Sequence, residues 1–150
     1  MIVRPARRDD LAALAPIATR PLLQRYAVTP AGLERDLARA LDDGDGLLVA
    51  DDGGPRGFAW FQPRGALGSG GYLKLIAIRP GEESRGLGAA LLDGVERAVV
   101  AESRHLFLLV SDFNVRAQRF YQSHGYTRAG VLPGLVLADV DELLYWKRLR

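Results

Sequence analysis

The chain contains no cysteine, and only two histidines among its 150 residues. Without cysteine there is no disulfide, no thiolate zinc ligand and no thiol nucleophile. Long apolar runs are also missing. No segment approaches the ~20 residues of a membrane span, and Ile2-Val3 passes straight to Arg4, Arg7 and Arg8 with no apolar leader. A soluble, cytoplasmic protein is expected. Charge of one sign is scarce as well: 20 Lys+Arg stand against 18 Asp+Glu, a net charge of +2. The basic residues are scattered, with no block and no interleaved aromatics, which argues against nucleic-acid binding.

What is present is an ordinary globular composition, 48% hydrophobic and 25% charged, in a length that suits one domain with a real core. Ile2 to Pro5 reads as a strand, and Asp9 or Asp10 as the cap of a helix carrying Leu11, Leu14, Ala15 and Ala18. Pro21 ends or interrupts that helix, and the stretch Arg20 to Pro30 is expected to lie over a site as a partly helical loop. Thr29-Pro30 opens a second helix, with Leu33, Leu37, Ala40 and Leu41 on its buried face. Leu47 to Ala50 and Gly57 to Gln62 flank a hairpin signal at Asp51-Asp52-Gly53-Gly54-Pro55. Pro63 to Gly71 reads as a turn and Tyr72 to Ile78 as a central strand. A long helix follows, then the strand His105 to Val110, dense enough in apolar residues to be buried on both faces. A helix over Asn114 to His124 and strands at Tyr126 to Val131 and Val140 to Leu149 complete the chain. The order predicts a mixed α/β sheet of six to seven strands with helices on both faces, its central pair parallel.

The segment Leu73 to Val99 carries the chemistry. An apolar strand ends at Pro80, a polar turn leads to Arg85-Gly86-Leu87-Gly88, and an amphipathic helix presents Leu87, Ala90, Leu91, Val95, Ala98 and Val99 on one side. The first N–H groups of such a helix have no partner within it and sit at its positive end, a place for an anion. Glycines there allow close approach to the backbone, and equally allow a plain tight turn. No Lys-Ser/Thr pair follows Gly88, so a Walker loop is excluded, and no third glycine completes a dinucleotide fingerprint.

This segment resembles motif A of the GNAT superfamily of N-acetyltransferases, which use acetyl-CoA. Ile78-Arg79-Pro80 stands for V-x-P, and Glu83-Ser84-Arg85-Gly86-Leu87-Gly88 followed by Leu91-Leu92 stands for Q/R-x-x-G-x-G/A and its two leucines, with Glu83 replacing Gln or Arg. A register shifted by two, Arg85 to Ala90, restores that first basic position but breaks the spacing to Pro80. A second segment, Val110 to Tyr126, is similar to the family pattern V-x-x-x-N-x-x-A-x-x-x-Y-x-x-x-G-F at every spacing, with Asn114, Ala117, Tyr121 and Gly125 in place and Tyr126 for Phe. Asp141 to Lys147 resembles the closing strand.

The resemblance implies a single GNAT-like domain over residues 1–150, whose fourth and fifth strands splay around the arm of acetyl-CoA. Ile76, Ala77 and Ile78 would meet that arm, and Ser84, Arg85, Gly86, Leu87, Gly88 and Ala89 the pyrophosphate. Asn114 would both cap its helix and touch the arm. Tyr121 would be the general acid that protonates the leaving thiolate, although a core tyrosine is the plainer reading of its helix face alone. No carboxylate lies on the strand Gly70 to Leu75, where many relatives carry their base. Asp112, Asp141, Glu142 and an ordered water remain, and Glu142 is the expected base. No metal site is expected.

The acceptor pocket of the family is shaped by regions that correspond to Pro21–Thr29 and Leu132–Asp139. Both are apolar here, with Trp60, Phe61 and Tyr72 as candidate aromatic walls. The expected reaction is attack of a primary amine, of a small or amino-acid-like acceptor, on acetyl-CoA through a tetrahedral intermediate. The alternatives are a protein N-terminus or lysine as acceptor, or a silent acetyl-CoA-binding regulatory domain. The apolar loop would also serve a homodimer surface.

Overall fold

A computed structural model describes residues 1–18 and 24–150. The expected break at Pro21 and the residues Leu22 and Leu23 lie outside the described residues. Seven strands form one sheet in the order β1-β2-β3-β4-β5-β7-β6. They are β1 (Ile2–Pro5), β2 (Gly46–Asp51), β3 (Pro55–Ala66), β4 (Gly70–Ile78), β5 (His105–Ser111), β6 (Thr127–Leu132) and β7 (Glu142–Arg148). The helices are α1 (Leu11–Ile17), α2 (Pro30–Asp42), α3 (Leu87–Val100) and α4 (Val115–Ser123). All neighbouring strands are antiparallel except β4 and β5, which are parallel and joined through α3.

Local chemistry accounts for most of these boundaries. The Thr29 hydroxyl accepts the Gly32 N–H at 3.0 Å and Pro30 opens α2. Asn114 caps α4 by accepting the Ala117 N–H at 3.1 Å. Asp10 differs from its expected role as the cap of α1. Its buried carboxylate instead accepts the Arg7 N–H at 2.7 Å and a forked pair from the Arg4 guanidinium at 2.8 and 2.9 Å. Arg4 in turn holds Asp51 at 2.8 Å. These contacts lower the Asp10 pKa to about 2. The expected turn from Pro63 to Gly71 is also shorter than the glycine content suggests. β3 and β4 extend into it as a long hairpin, closed by Leu67-Gly68-Ser69 with Leu67 in the left-handed region.

Two apolar clusters cover the two faces of the sheet. On one face Leu87, Leu91, Leu92, Val95 and Val99 of α3 pack on Phe61, Leu73, Leu106 and Leu108. On the other, α1 and α2 contribute Leu11, Leu14, Leu33 and Leu37 against Val49, Phe58 and Trp60. β5 is more one-sided than expected: Leu106, Leu108 and Val110 are buried, whereas Phe107 and Leu109 are half-buried.

Candidate active site

The parallel pair β4 and β5 is joined only over Gly70–Leu73 against His105–Leu108. Beyond Leu73 the two strands part, while β4 stays paired with β3 as far as Ile78. The Arg79 N–H donates to the Arg56 carbonyl at 2.8 Å. Antiparallel pairs alternate between hydrogen-bonded and non-bonded residues, so Ala77 and Leu75 exchange bonds with β3. The backbone groups of Ile76 and Ile78 therefore face the gap, and a buried strand without its ladder calls for a ligand's amides.

The gap opens into a cleft of about 640 Å³. Its wall on β4 is Leu75 to Ile78; its wall on α4 is Asn114, Arg116, Ala117, Phe120 and Tyr121; Gly88 and Glu83 close one end. Gly86, at φ 78°, turns the chain into α3 through a left-handed conformation that glycine adopts without strain. The intrahelical ladder begins where the Ala90 N–H reaches the Gly86 carbonyl at 3.1 Å. The N–H groups of Leu87, Gly88 and Ala89 thus lack helical partners. A Cβ on Gly88 would meet the Phe120 ring at 3.4 Å, so a larger side chain there would crowd the cleft between α3 and α4. The Leu87 side chain is itself core, leaving only its backbone for the site. These features fit a long, amide-bearing anionic molecule laid along β4 with its phosphates on α3.

Arg85 does not point at that anion position in this structure. Its guanidinium binds Asp52 at 2.7 Å and Glu82 at 2.9 Å, tying the turn to the β2–β3 hairpin. Ser84 is exposed beside it. Glu83 is folded onto the turn, where its carboxylate accepts the Gly81 N–H at 2.9 Å.

Tyr121 lines the cleft from α4, half-buried between Phe120 and Tyr126 with ring centroids at 5.1 and 5.7 Å. Its hydroxyl has no hydrogen-bond partner among the described residues, and burial pushes its pKa upward. The phenol therefore stays protonated at neutral pH.

Glu142 lies at the start of β7, opposite Ser111 at the open end of β5. Its carboxylate is buried, at 7% exposure, and accepts the Tyr26 hydroxyl at 3.1 Å. Asp112 and Asp141 are taken up in fixing loops: the Asp141 N–H reaches Asp112 at 3.1 Å and Gly134 reaches Asp141 at 3.3 Å. Among the described residues His124 bonds within its own helix end, its Nδ1–H donating to the Phe120 carbonyl at 2.7 Å.

The sequence model of the acetyltransferase (GNAT) family matches residues 11–126. The chain belongs to the GNAT family. GNAT structures across several organisms share its fold. One is a ribosomal-protein-alanine N-acetyltransferase of Brucella melitensis, 22% identical over 99% of both chains with a TM-score of 0.79. Another, from Salmonella typhimurium, was solved with its cofactor acetyl-CoA; it is 18% identical over 100% of this chain and 94% of that one, with a TM-score of 0.80. A third is an aminoglycoside 6'-N-acetyltransferase complexed with coenzyme A, 16% identical over 100% of this chain and 98% of that one, with a TM-score of 0.81. No helix among the described residues of this GNAT protein is long and apolar enough to cross a membrane.

Of the residues expected from sequence, the cleft of this GNAT domain gathers Ile76, Ala77, Ile78, Gly88, Asn114 and Tyr121. Glu142 sits on the α1/α2 face of the sheet, outside that lining. Phe61 is core rather than a wall: it is 3% exposed, and a Cβ on Gly46 would lie 2.1 Å from the tip of its ring. Sequence reasoning missed Arg116, Phe113 and Phe120 in the cleft, and Ser111 beside Glu142. Spacing from Asn114 could have found Arg116, because the second position of a helix lies close to its cap. Nothing local could have paired Tyr26 with Glu142.

Proposed function

We propose that this chain is an N-acetyltransferase that moves the acetyl group of acetyl-CoA to the primary amine of a small or amino-acid-like acceptor by direct attack. The observation that carries the reading is the parting of β4 from β5 above a glycine-started helix, with the protonated phenol of Tyr121 in the same cleft. Acetyl-CoA supplies the thioester. Ile76 and Ile78 would take its amides through their backbone, Ala77 would pack against the arm, and a free N–H of β4 would polarise the acetyl carbonyl. The backbone of Ser84, Arg85, Gly86, Leu87, Gly88 and Ala89 would hold the pyrophosphate, and Asn114 would border the arm from the cap of α4. Tyr121 would donate its proton to the departing sulfur. An alkylammonium, with pKa about 10.4, must lose a proton before it attacks. Glu142, a buried carboxylate on the α1/α2 side, would receive it.

Calorimetric titration with acetyl-CoA, CoA, ATP and NAD tests the cofactor. Acetyl-CoA and CoA should bind selectively, and Gly88→Val should weaken both at least ~10-fold by filling the phosphate position. A folded protein that binds neither would overturn the reading. Thiol release from acetyl-CoA with a panel of primary amines then tests the transfer.

A further inference from the structure

We infer that Tyr26 is a positioning residue for Glu142, holding one carboxylate oxygen so that the other receives the ammonium of the acceptor. This rests on the reading of Glu142 as the base. Tyr26 stands in the connection between α1 and α2, 85 residues from Ser111 and 116 from Glu142 in sequence, yet its hydroxyl hydrogen-bonds to both. A phenol has one proton. If it goes to Glu142 Oε2, the Ser111 hydroxyl must donate to the Tyr26 oxygen, giving a chain Ser111 to Tyr26 to Glu142.

Glu142 has no ion pair among the described residues, and its Oε1 has no hydrogen bond among them. Among the described residues the donor to this buried carboxylate is the neutral Tyr26 hydroxyl, on one oxygen, which leaves the other for a charged partner. An amine substrate brings such a charge. Tyr72 borders the same carboxylate from β4, and burial together with the Glu142 charge raises its pKa, as burial does for Tyr26. Both phenols are neutral and neither competes for the acceptor's charge.

The backbone around Tyr26 is built to hold it there. The Ala27 N–H closes a turn on the Gln24 carbonyl at 3.0 Å, and Ala27 takes a left-handed φ of 57°, which alanine adopts only at a cost. Arg25 reaches the other way, to Asp139 at 3.1 Å and over the Phe113 ring at 4.9 Å. One short turn therefore spans the loops that follow β5 and precede β7, with Tyr26 pointing down to the carboxylate.

In the reaction an ammonium N–H proton passes to Glu142 Oε1 and the freed lone pair attacks the thioester carbonyl carbon. The C–S bond breaks and sulfur takes the Tyr121 proton. The extra proton left on the new amide nitrogen restores the phenol, and Glu142 releases its proton to solvent.

The test is thiol release at saturating acetyl-CoA with butylamine, spermidine, glycinamide, L-phenylalanine and an alanine-initiated hexapeptide. The best acceptor is then carried through Tyr26→Phe, Glu142→Gln and the double variant. Glu142→Gln should lower kcat by about 100-fold. Tyr26→Phe, which keeps the ring, should lower kcat/KM for the amine ~10-fold while the Kd for acetyl-CoA stays unchanged. In the Glu142→Gln background it should add nothing, because the two side chains act as one unit. Ser111→Ala should follow Tyr26→Phe in direction. An unchanged Tyr26→Phe, or additive losses in the double variant, would overturn the positioning role and leave the base standing. Full activity in Glu142→Gln would overturn both, as would an absence of thiol release with every amine.

Discussion

The two ends of the β4–β5 pair are built from opposite materials. At the joined end, Gly70 and Gly71 let the strands and the overlying helix close without space for a side chain. A Cβ on Gly70 would lie 2.6 Å from the Phe107 ring, and one on Gly71 2.6 Å from a Val99 methyl. At the open end Leu75, Ile76 and Ile78 carry large side chains, and glycine appears instead in the turn and helix start that face the gap. Glycine at one end seals the sheet by leaving no atoms between strand and helix, and at the other it leaves the turn and the helix start open. The effect of the same residue type thus depends on what stands opposite it.

The largest effect that would break this comparison belongs to the open end. Tyr121→Phe should lower kcat between about 100- and 10,000-fold while acetyl-CoA affinity stays near the parent value. An unchanged kcat, measured by thiol release, would remove the chemistry from the open end. At the joined end, Gly71→Val should destabilise the fold by about 3 kcal/mol, because the new atoms meet Val99 and the Pro63 carbonyl, at 3.2 Å, inside a packed core. Urea unfolding would show it, and a variant as stable as the parent would mean that the strands can part there too.

The far edge of the sheet sharpens the contrast, since it is held by the paired charges of Arg4, Asp10 and Asp51. The Asp10 pKa, about 2 in the fold, lies below its unfolded value. Its contribution is therefore fully present above the unfolded value of about 3.9 and is lost as pH falls through the folded one. Asp10→Asn should cost about 2 kcal/mol at neutral pH, with the difference from the parent shrinking below about pH 4 and vanishing only below about pH 2 in denaturant titrations. Acetyl-CoA binding at neutral pH should not change. The smallest effect is expected at the entrance to α3. Gly86→Ala has open space around its new methyl, so the left-handed φ of 78° alone should cost about 1 kcal/mol of stability in the same titrations.

Helix starts and the glycine turn were legible in the sequence because each depends on residues within one turn of chain. Thr29 and Asn114 cap as their positions predict, and Leu87, Leu91, Val95 and Val99 bury the face that their period marks. Asp10 was misread because its partners include Arg4, on a neighbouring strand, which outcompetes a local cap. Arg85 looks like a phosphate ligand in sequence, but Asp52, brought alongside by the β2–β3 hairpin, takes its charge.

Local pattern therefore determined the elements, their order and the family motifs, since spacing along the chain is all that a cap, a helical face or a glycine turn requires. The direction of each backbone group and the company of each buried carboxylate depended on which strands meet. The parting of β4 from β5, the outward turn of Ile76 and Ile78, and the meeting of Tyr26, Ser111 and Glu142 arise from contacts between residues far apart in sequence. Those contacts exist only once the sheet has closed around its core.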